Sequence, residues 1–309
     1  MKKIPVWIDC DTGVDDAAAL LCAHKLPQAE LVGISAVAGN VELEKTYANC
    51  HRLNALMGAD YPIYKGADKP WFRPLTIATY IHGEDGLGGA ELPLPPLQNR
   101  PELAWDALYA AARKYEGELE LVAVGPLTNI ANAVVKYPDL PQYLKRIVIM
   151  GGAAIGGNCT PCAEFNIYVD PHAAQCVFKS GIPVVMCGLD VTMKAYFTDG
   201  EIDAAAAAGG DVRRFFREST RRAMRFCTGL GLPGVSFHDV CALFYVFFPD
   251  MFSGDEGGVY VETQSSLTLG KTVTDIYSDH QFEHHNAYVV LDLDRERFVK
   301  TITELLAEY

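Results

Sequence analysis

The sequence predicts an α/β protein built on an open, mostly parallel, Rossmann-like sheet with helices on both faces. Three observations carry this. Short Val/Ile-rich runs alternate with helical patterns; the runs are near-continuously apolar, as strands covered on both faces are; and the polar clusters follow the runs. In open α/β sheets ligands bind beyond the carboxyl ends of the strands.

The elements are read in order. IPVWID (4–9) is a strand before the helical DDAAALLCAH (15–24). ELVGISAVAG (30–39) precedes the helix VELEKTYANCHRLNALMG (41–58). The stretch 66–100 is rich in Pro and Gly and reads as a lid or binding loop. ELELVAVG (118–125) precedes the helix PLTNIANAVVKY (126–137). RIVIMGG (146–152) leads through a loop to the helix DPHAAQCVFKSG (170–181), and IPVVMCGLD (182–190) follows. Beyond it, 259–265, 266–276 and 287–293 are expected as strands outside the regular repeat, and 295–309 as a closing helix. No linker-like or low-complexity segment interrupts the chain, so residues 1–309 read as one domain.

Half of the 309 residues are hydrophobic, and 39 acidic against 26 basic side chains give a net charge of −13. That argues against a nucleic-acid groove or an anionic membrane surface as partner. The basic run RRFFRESTRRAMR (213–225) has helical spacing and reads as a solvated helix face. No stretch approaches the apolar length of a membrane span. Nine scattered cysteines in apolar segments fit a reducing, cytoplasmic setting. Cys159-Thr-Pro-Cys162 lacks the second ligand pair of a zinc site, and Glu283-His284-His285 is not HExxH.

DCDTGVDD crowds Asp9, Asp11, Asp15 and Asp16 behind the first strand, and FHDV adds His238 and Asp239 at a helix start. Asp11, Asp15, Asp16 and Asp239 are hard oxygen donors without thiolate or imidazole, which favours Ca²⁺ or Mg²⁺ over zinc. Several carboxylates joined by a backbone carbonyl favour Ca²⁺. Helix capping is the competing role for Asp15 and Asp16. Asn158, Glu164 and Asn166 share one loop and suit sugar hydroxyls, with loop hydrogen bonding as the competing role. His238 suits proton transfer by its ordinary pKa near 6.5 or has a structural role.

Together these residues resemble the inosine-uridine type of nucleoside hydrolase. DCDTGVDD matches the family's DxDxGxDD signature, and Gly39-Asn40, GPLTNIA (125–131), GN…AEFN (157–166) and His238-Asp239 follow in order. The resemblance implies the nucleoside hydrolase fold and hydrolysis of a ribonucleoside's N-glycosidic bond to free base and ribose. It implies a Ca²⁺ cofactor held by the side chains of Asp11, Asp16 and Asp239 and the carbonyl of Val124. Asp15, Asn40, His82, Met150, Asn158, Glu164, Phe165 and Asn166 would then contact the substrate. Asp11 would take a proton from water and His238 would assist base departure; Asp9 is expected to orient its neighbours. The resemblance also implies a dimer or tetramer, and lids around His82 and at 225–234. Purine-accepting members carry tyrosines on the helix before His-Asp, where Phe226 stands here, so a pyrimidine preference or broad specificity is expected. Alternatives are a purine-preferring hydrolase, a haloacid-dehalogenase-like phosphatase using Asp9-Cys-Asp11-Thr as DxDxT, and a non-catalytic nucleoside- or Ca²⁺-binding module.

Overall fold

A computed structural model describes residues 2–98, 100–277 and 281–309. Strands β1 (Ile4–Cys10) and β2 (Ala29–Ala36) are joined by helix α1 (Val14–Lys25), and α2 (Leu43–Leu56) leads to β3 (Ile63–Lys65). The irregular stretch that follows contains α3 (Thr79–His82) and ends at α4 (Ala104–Tyr115); Asn99 lies outside the described residues. Next come β4 (Leu119–Ala123), α5 (Thr128–Lys136), β5 (Leu144–Met150), α6 (Phe165–Val169), α7 (Pro171–Phe178), β6 (Val184–Cys187) and α8 (Leu189–Thr192). The short strands β7 (Tyr196–Phe197) and β8 (Val235–Ser236) bracket α9 (Asp199–Ala206) and α10 (Asp211–Gly229). Helix α11 (His238–Phe247), strands β9 (Phe252–Val261), β10 (Thr272–Asp275) and β11 (Ala287–Leu293), and α12 (Arg295–Ala307) complete the chain.

The nine-stranded sheet has the order β10-β9-β11-β6-β5-β4-β1-β2-β3. From β3 through β6 to β11 the pairings are parallel; β9 and β10 run antiparallel at the far edge. The segment β3-β2-β1-β4-β5-β6 has the doubly wound order, so its winding reverses between β1 and β4. Two expectations need correction at the C-terminal side. Residues 262–271 are not strand, with turns at 266–270, and β9 begins at Phe252, earlier than the apolar pattern shows, because FSGDEGG offers little hydrophobic signal.

Alternation along the strands splits the core into two layers, one on each face. On β1, Val6, Ile8 and Cys10 pack toward one layer and Trp7 toward the other. Strands β4 and β5 divide likewise, Val122 and Val148 against Leu121 and Ile147. The first layer is capped by α1, α2, α10, α11 and α12, the second by α4, α5 and α7. Gly33 on β2 is required by Trp7, because a Cβ there would overlap the indole ring. The basic run belongs to α10: Arg217 pairs with Asp203 at 2.6 Å, while Arg213 is buried and donates to the Leu306 and Ala307 carbonyls ending α12.

Candidate active site

At the winding reversal, the chain leaving β1 carries Asp11 and the chain leaving β4 carries Val124. The turn after β1 is tight: a Cβ at Gly13 would collide with His82 Nδ1 and Asn40 Nδ2. Gly13 N–H donates to Asp16 Oδ2 at 2.7 Å and Asp11 N–H to Asp16 Oδ1 at 3.1 Å. Asp16 therefore caps α1, as carboxylates do near a helix N-terminus, and it also faces other acids. Among the described residues, Asp15, Asp16 and Asp239 bring carboxylate oxygens within 4.8 Å of one another. The donors read from the sequence are Asp11, Asp15, Asp16 and Asp239, and the ligand set implied by the resemblance has Asp11 where this cluster has Asp15. Asp11 is fully buried; its Oδ2 accepts the Asn40 N–H at 2.7 Å, whereas Oδ1 is buried without a partner.

Such crowding shows in the protonation equilibria. Burial, then the charge of Asp16, raises Asp11 well above the usual carboxylate range. The same two causes push Asp15 up to about 8. Asp239 is raised strongly by burial and by Asp15, Asp16 and Asp11. A hard divalent cation relieves such a set, and an unpartnered buried carboxylate oxygen is a donor that fits one. The Val124 carbonyl lies in the same wall and accepts Asn166 Nδ2 at 2.9 Å.

Beside the acids is a cavity lined by Asp15, Asn40, Val124 and Asp239. Met150, Asn158, Glu164, Phe165 and Asn166 form one side, and His82 and His238 also face in. Thus eleven of the expected site residues share one cavity wall, while Asp11 and Asp16 lie buried beside it. Glu164 also caps α6: its carboxylate accepts the N–H groups of Asn166 at 3.0 Å, Gly152 at 3.0 Å and Ile167 at 3.1 Å. Burial raises it to about 7 against the pull of those donors. Asn158 Oδ1 accepts the Phe165 N–H at 2.9 Å, leaving its amide NH₂ for the cavity. Asn40 Nδ2 reaches Asp16 Oδ2 at 3.2 Å.

Both histidines sit below the ordinary imidazole range. Burial lowers His238 to about 4; burial and the nearby His238 lower His82 to about 3. With both values below neutrality, the neutral form of each ring offers one hydrogen-bond donor and one acceptor. His82 Nδ1 accepts the Val14 N–H at 3.1 Å, and His238 Nδ1 lies 2.8 Å from Thr192 Oγ1.

Of the further wall residues, Ile81 and Cys227 belong to the segments expected as lids around His82 and at 225–234, whereas Tyr80 and Ala223 were not anticipated. Tyr80 and Ile81 enter on α3, and Ala223 and Cys227 face in from α10. Phe226 does not line the cavity; its ring packs on Tyr80 with centroids 5.5 Å apart. The helical period decides this: 223 and 227 are one turn apart and share a face that 226 does not. Asp9 is wholly buried and outside the cavity wall. Its Oδ1 accepts Ser35 Oγ and, at 2.7 Å, Asn129 Nδ2, while burial raises it to about 7. The two donors on its Oδ1 and its absence from the cavity wall argue against a phosphatase nucleophile at Asp9. Cys159 and Cys162 are free thiols, and His284 borders a separate groove near Tyr260 and Tyr288.

A Rossmann-wound sheet with acids, amides and neutral imidazoles converging at its switch point defines an α/β enzyme acting on a small polyhydroxylated substrate. The family model of the inosine-uridine preferring nucleoside hydrolases matches residues 6–300, and the chain belongs to that family. It is an N-glycosyl hydrolase of ribonucleosides. It is 41% identical over 308 residues to the pyrimidine-specific ribonucleoside hydrolase RihA of Shewanella sp. (strain MR-7), covering 99% of this chain and 96% of that one. The RihA of Klebsiella pneumoniae subsp. pneumoniae is likewise 41% identical, with 99% of each chain covered. The purine-preferring ribonucleoside hydrolase from Gardnerella vaginalis superposes with a TM-score of 0.92 at 30% identity, with 98% of each chain covered. Among the described residues no helix is long and apolar enough to cross a membrane.

Proposed function

We propose that this enzyme hydrolyses pyrimidine ribonucleosides such as uridine and cytidine to base and ribose, with Ca²⁺ as cofactor. The observation that carries the reading is the cluster of Asp15, Asp16 and Asp239 beside the unpartnered Asp11 Oδ1, opening on a cavity lined by amides. Asp11, Asp16, Asp239 and the Val124 carbonyl would hold the cation, with Asp15 within reach of the same set. When bound, the cation supplies Lewis-acid polarisation of water and neutralises the acids.

The protein's own groups divide the remaining work. Asp11 accepts the proton of the attacking water, whose oxygen bonds to the anomeric carbon as the C–N bond breaks. The electron pair leaves with the base. Asp15, Asn40, Asn158, Glu164 and Asn166 hold the ribose hydroxyls, and the nearby carboxylates stabilise the oxocarbenium-like charge on the sugar. Met150 and Phe165 pack against the sugar side. His82 and His238, both neutral, donate hydrogen bonds to the departing base, which later takes a proton from solvent.

Pyrimidine preference is supported by the named activity of the 41%-identical relatives and by α10, which offers Ala223 and Cys227 rather than phenols. The purine reading draws on the Tyr80 hydroxyl, which α3 brings to the same wall. Matched kcat/KM values for uridine, cytidine and inosine decide between them, and a large inosine advantage would overturn the pyrimidine assignment. The family resemblance also supports a homodimer or homotetramer at work in the cytoplasm; light scattering on the purified enzyme tests the assembly.

A further inference from the structure

We propose that Thr192 is a positioning residue that holds His238 in the tautomer with its proton on Nε2, aimed at the departing base. The inference rests on the assignment of His238 as a donor to the leaving group and adds what fixes that donor.

Thr192 ends α8, just beyond β6, and is fully buried. It does not line the cavity, so it acts only through the ring it touches. Its Oγ1 lies 2.8 Å from His238 Nδ1, across 46 residues of sequence, and among the described residues it has no other hydrogen-bond partner. A buried hydroxyl that leaves its proton unpaired forfeits a hydrogen bond. Here the sole acceptor in reach is Nδ1. Thr192 O–H therefore donates, Nδ1 must offer its lone pair to accept that proton, and the ring's own proton then sits on Nε2. With Nδ1 engaged, Nε2 has no protein partner among the described residues, and His238 lines the cavity.

His82 is fixed in the same sense by a different group. The Val14 backbone N–H, which can only donate, points at His82 Nδ1 from 3.1 Å, so the proton of that ring is also on Nε2. Both imidazoles thus present N–H donors to the cavity, set from the main chain on one side and from Thr192 on the other. As the C–N bond breaks, charge flows to the carbonyl oxygen of the base. The Nε2–H groups stabilise that charge and keep their protons. Without the threonine hydroxyl, His238 can place its proton on Nδ1 and turn a lone pair toward a developing anion.

The test is Thr192→Val, with Thr192→Ser and His238→Ala beside it, assayed on uridine and on p-nitrophenyl riboside, whose phenolate leaves without assistance. Thr192→Val should lower kcat on uridine by roughly 10- to 100-fold, the usual effect of removing a group that orients a working histidine. Turnover of the activated riboside should stay within about 3-fold, since the remaining machinery is untouched. Thr192→Ser should restore uridine turnover. Unchanged uridine turnover in Thr192→Val, or an equal loss on both substrates, overturns the proposal. If His238→Ala itself spares uridine, the leaving-group assignment fails; if it is selectively impaired while Thr192→Val is not, only the Thr192 inference fails. An independent readout needs no variant: ¹⁵N NMR of the native enzyme should show His238 as the Nε2–H tautomer, and an Nδ1–H ring would refute it.

Discussion

Removing divalent cations should make the protein less stable as pH rises, and Ca²⁺ should reverse this chiefly at alkaline pH. Carboxylate oxygens of Asp15, Asp16 and Asp239 lie within 4.8 Å of one another. Two unit charges at that distance repel by about 3.5 kcal/mol at an effective dielectric near 20. Protons relieve the strain when no cation does, which is why Asp15 is pushed up to about 8 and Asp239 and Asp11 are raised as well. The sign follows from linkage. A carboxyl whose folded pKa exceeds its unfolded value contributes stability that is full below the unfolded pKa and is lost as pH climbs through the folded one. For Asp15 that window runs from the model-peptide value of 3.8 to about 8. Each proton retained by the fold costs about 1.4 kcal/mol per pH unit, so one such group removes about 3 kcal/mol between about pH 5.5 and pH 8.

For a chain of this size the loss corresponds to a fall in Tm of about 5 °C. A cation at a hundred times its Kd returns about 2.7 kcal/mol, but near pH 5.5 it must compete with bound protons. Scanning fluorimetry on chelator-stripped protein, with and without Ca²⁺, should therefore show a large upward shift at the higher pH and a small one at the lower. A stripped protein whose Tm is flat or rises over this window would refute the charge argument. A Ca²⁺ shift that is equal at both values would do the same.

Three further outcomes are expected. Asp11→Ala should lower kcat by at least about 100-fold, the low end for loss of a general base, and retention of more than a tenth of native turnover would remove Asp11 from that role. Asn129→Ala strips a donor from Asp9 Oδ1 and the acceptor of the Ala67 N–H, both buried or nearly so. Urea unfolding should show a loss of about 1–3 kcal/mol, and an unchanged midpoint would show that water replaces both bonds. Gly33→Ala forces a methyl into the Trp7 ring and should cost about 1–3 kcal/mol by the same assay, with Trp7 fluorescence altered; a neutral result would mean that β2 shifts freely against β1.

Much of this was legible before folding. The apolar runs that became β1, β4 and β5 have few other uses, and a carboxylate-dense loop after such a run belongs at a strand's carboxyl end. DCDTGVDD, AEFN and His-Asp could be assigned to one site from their places in the chain and their match to one family's motifs, and the doubly wound order places the first two beyond β1 and β5, on either side of β4. The 66–100 stretch reads as a lid or binding loop with His82 as a substrate contact; that a helical turn, α3, also brings Tyr80 and Ile81 to the cavity depends on packing against α10, where Arg222 Nε reaches the Tyr80 carbonyl at 3.3 Å.

By itself, then, the sequence determined the alternation of elements, the family and the chemical types gathered at the site, because those follow from local pattern and residue identity. Tertiary structure decided what depends on the number and distance of neighbours from elsewhere in the chain. Burial lowered the histidine pKa values, enclosed Asp9 outside the cavity wall, turned Phe226 away from the wall in favour of Cys227, and brought Thr192 within 2.8 Å of His238. A pKa and a tautomer are properties of an enclosure, and the enclosure exists only once the sheet is assembled.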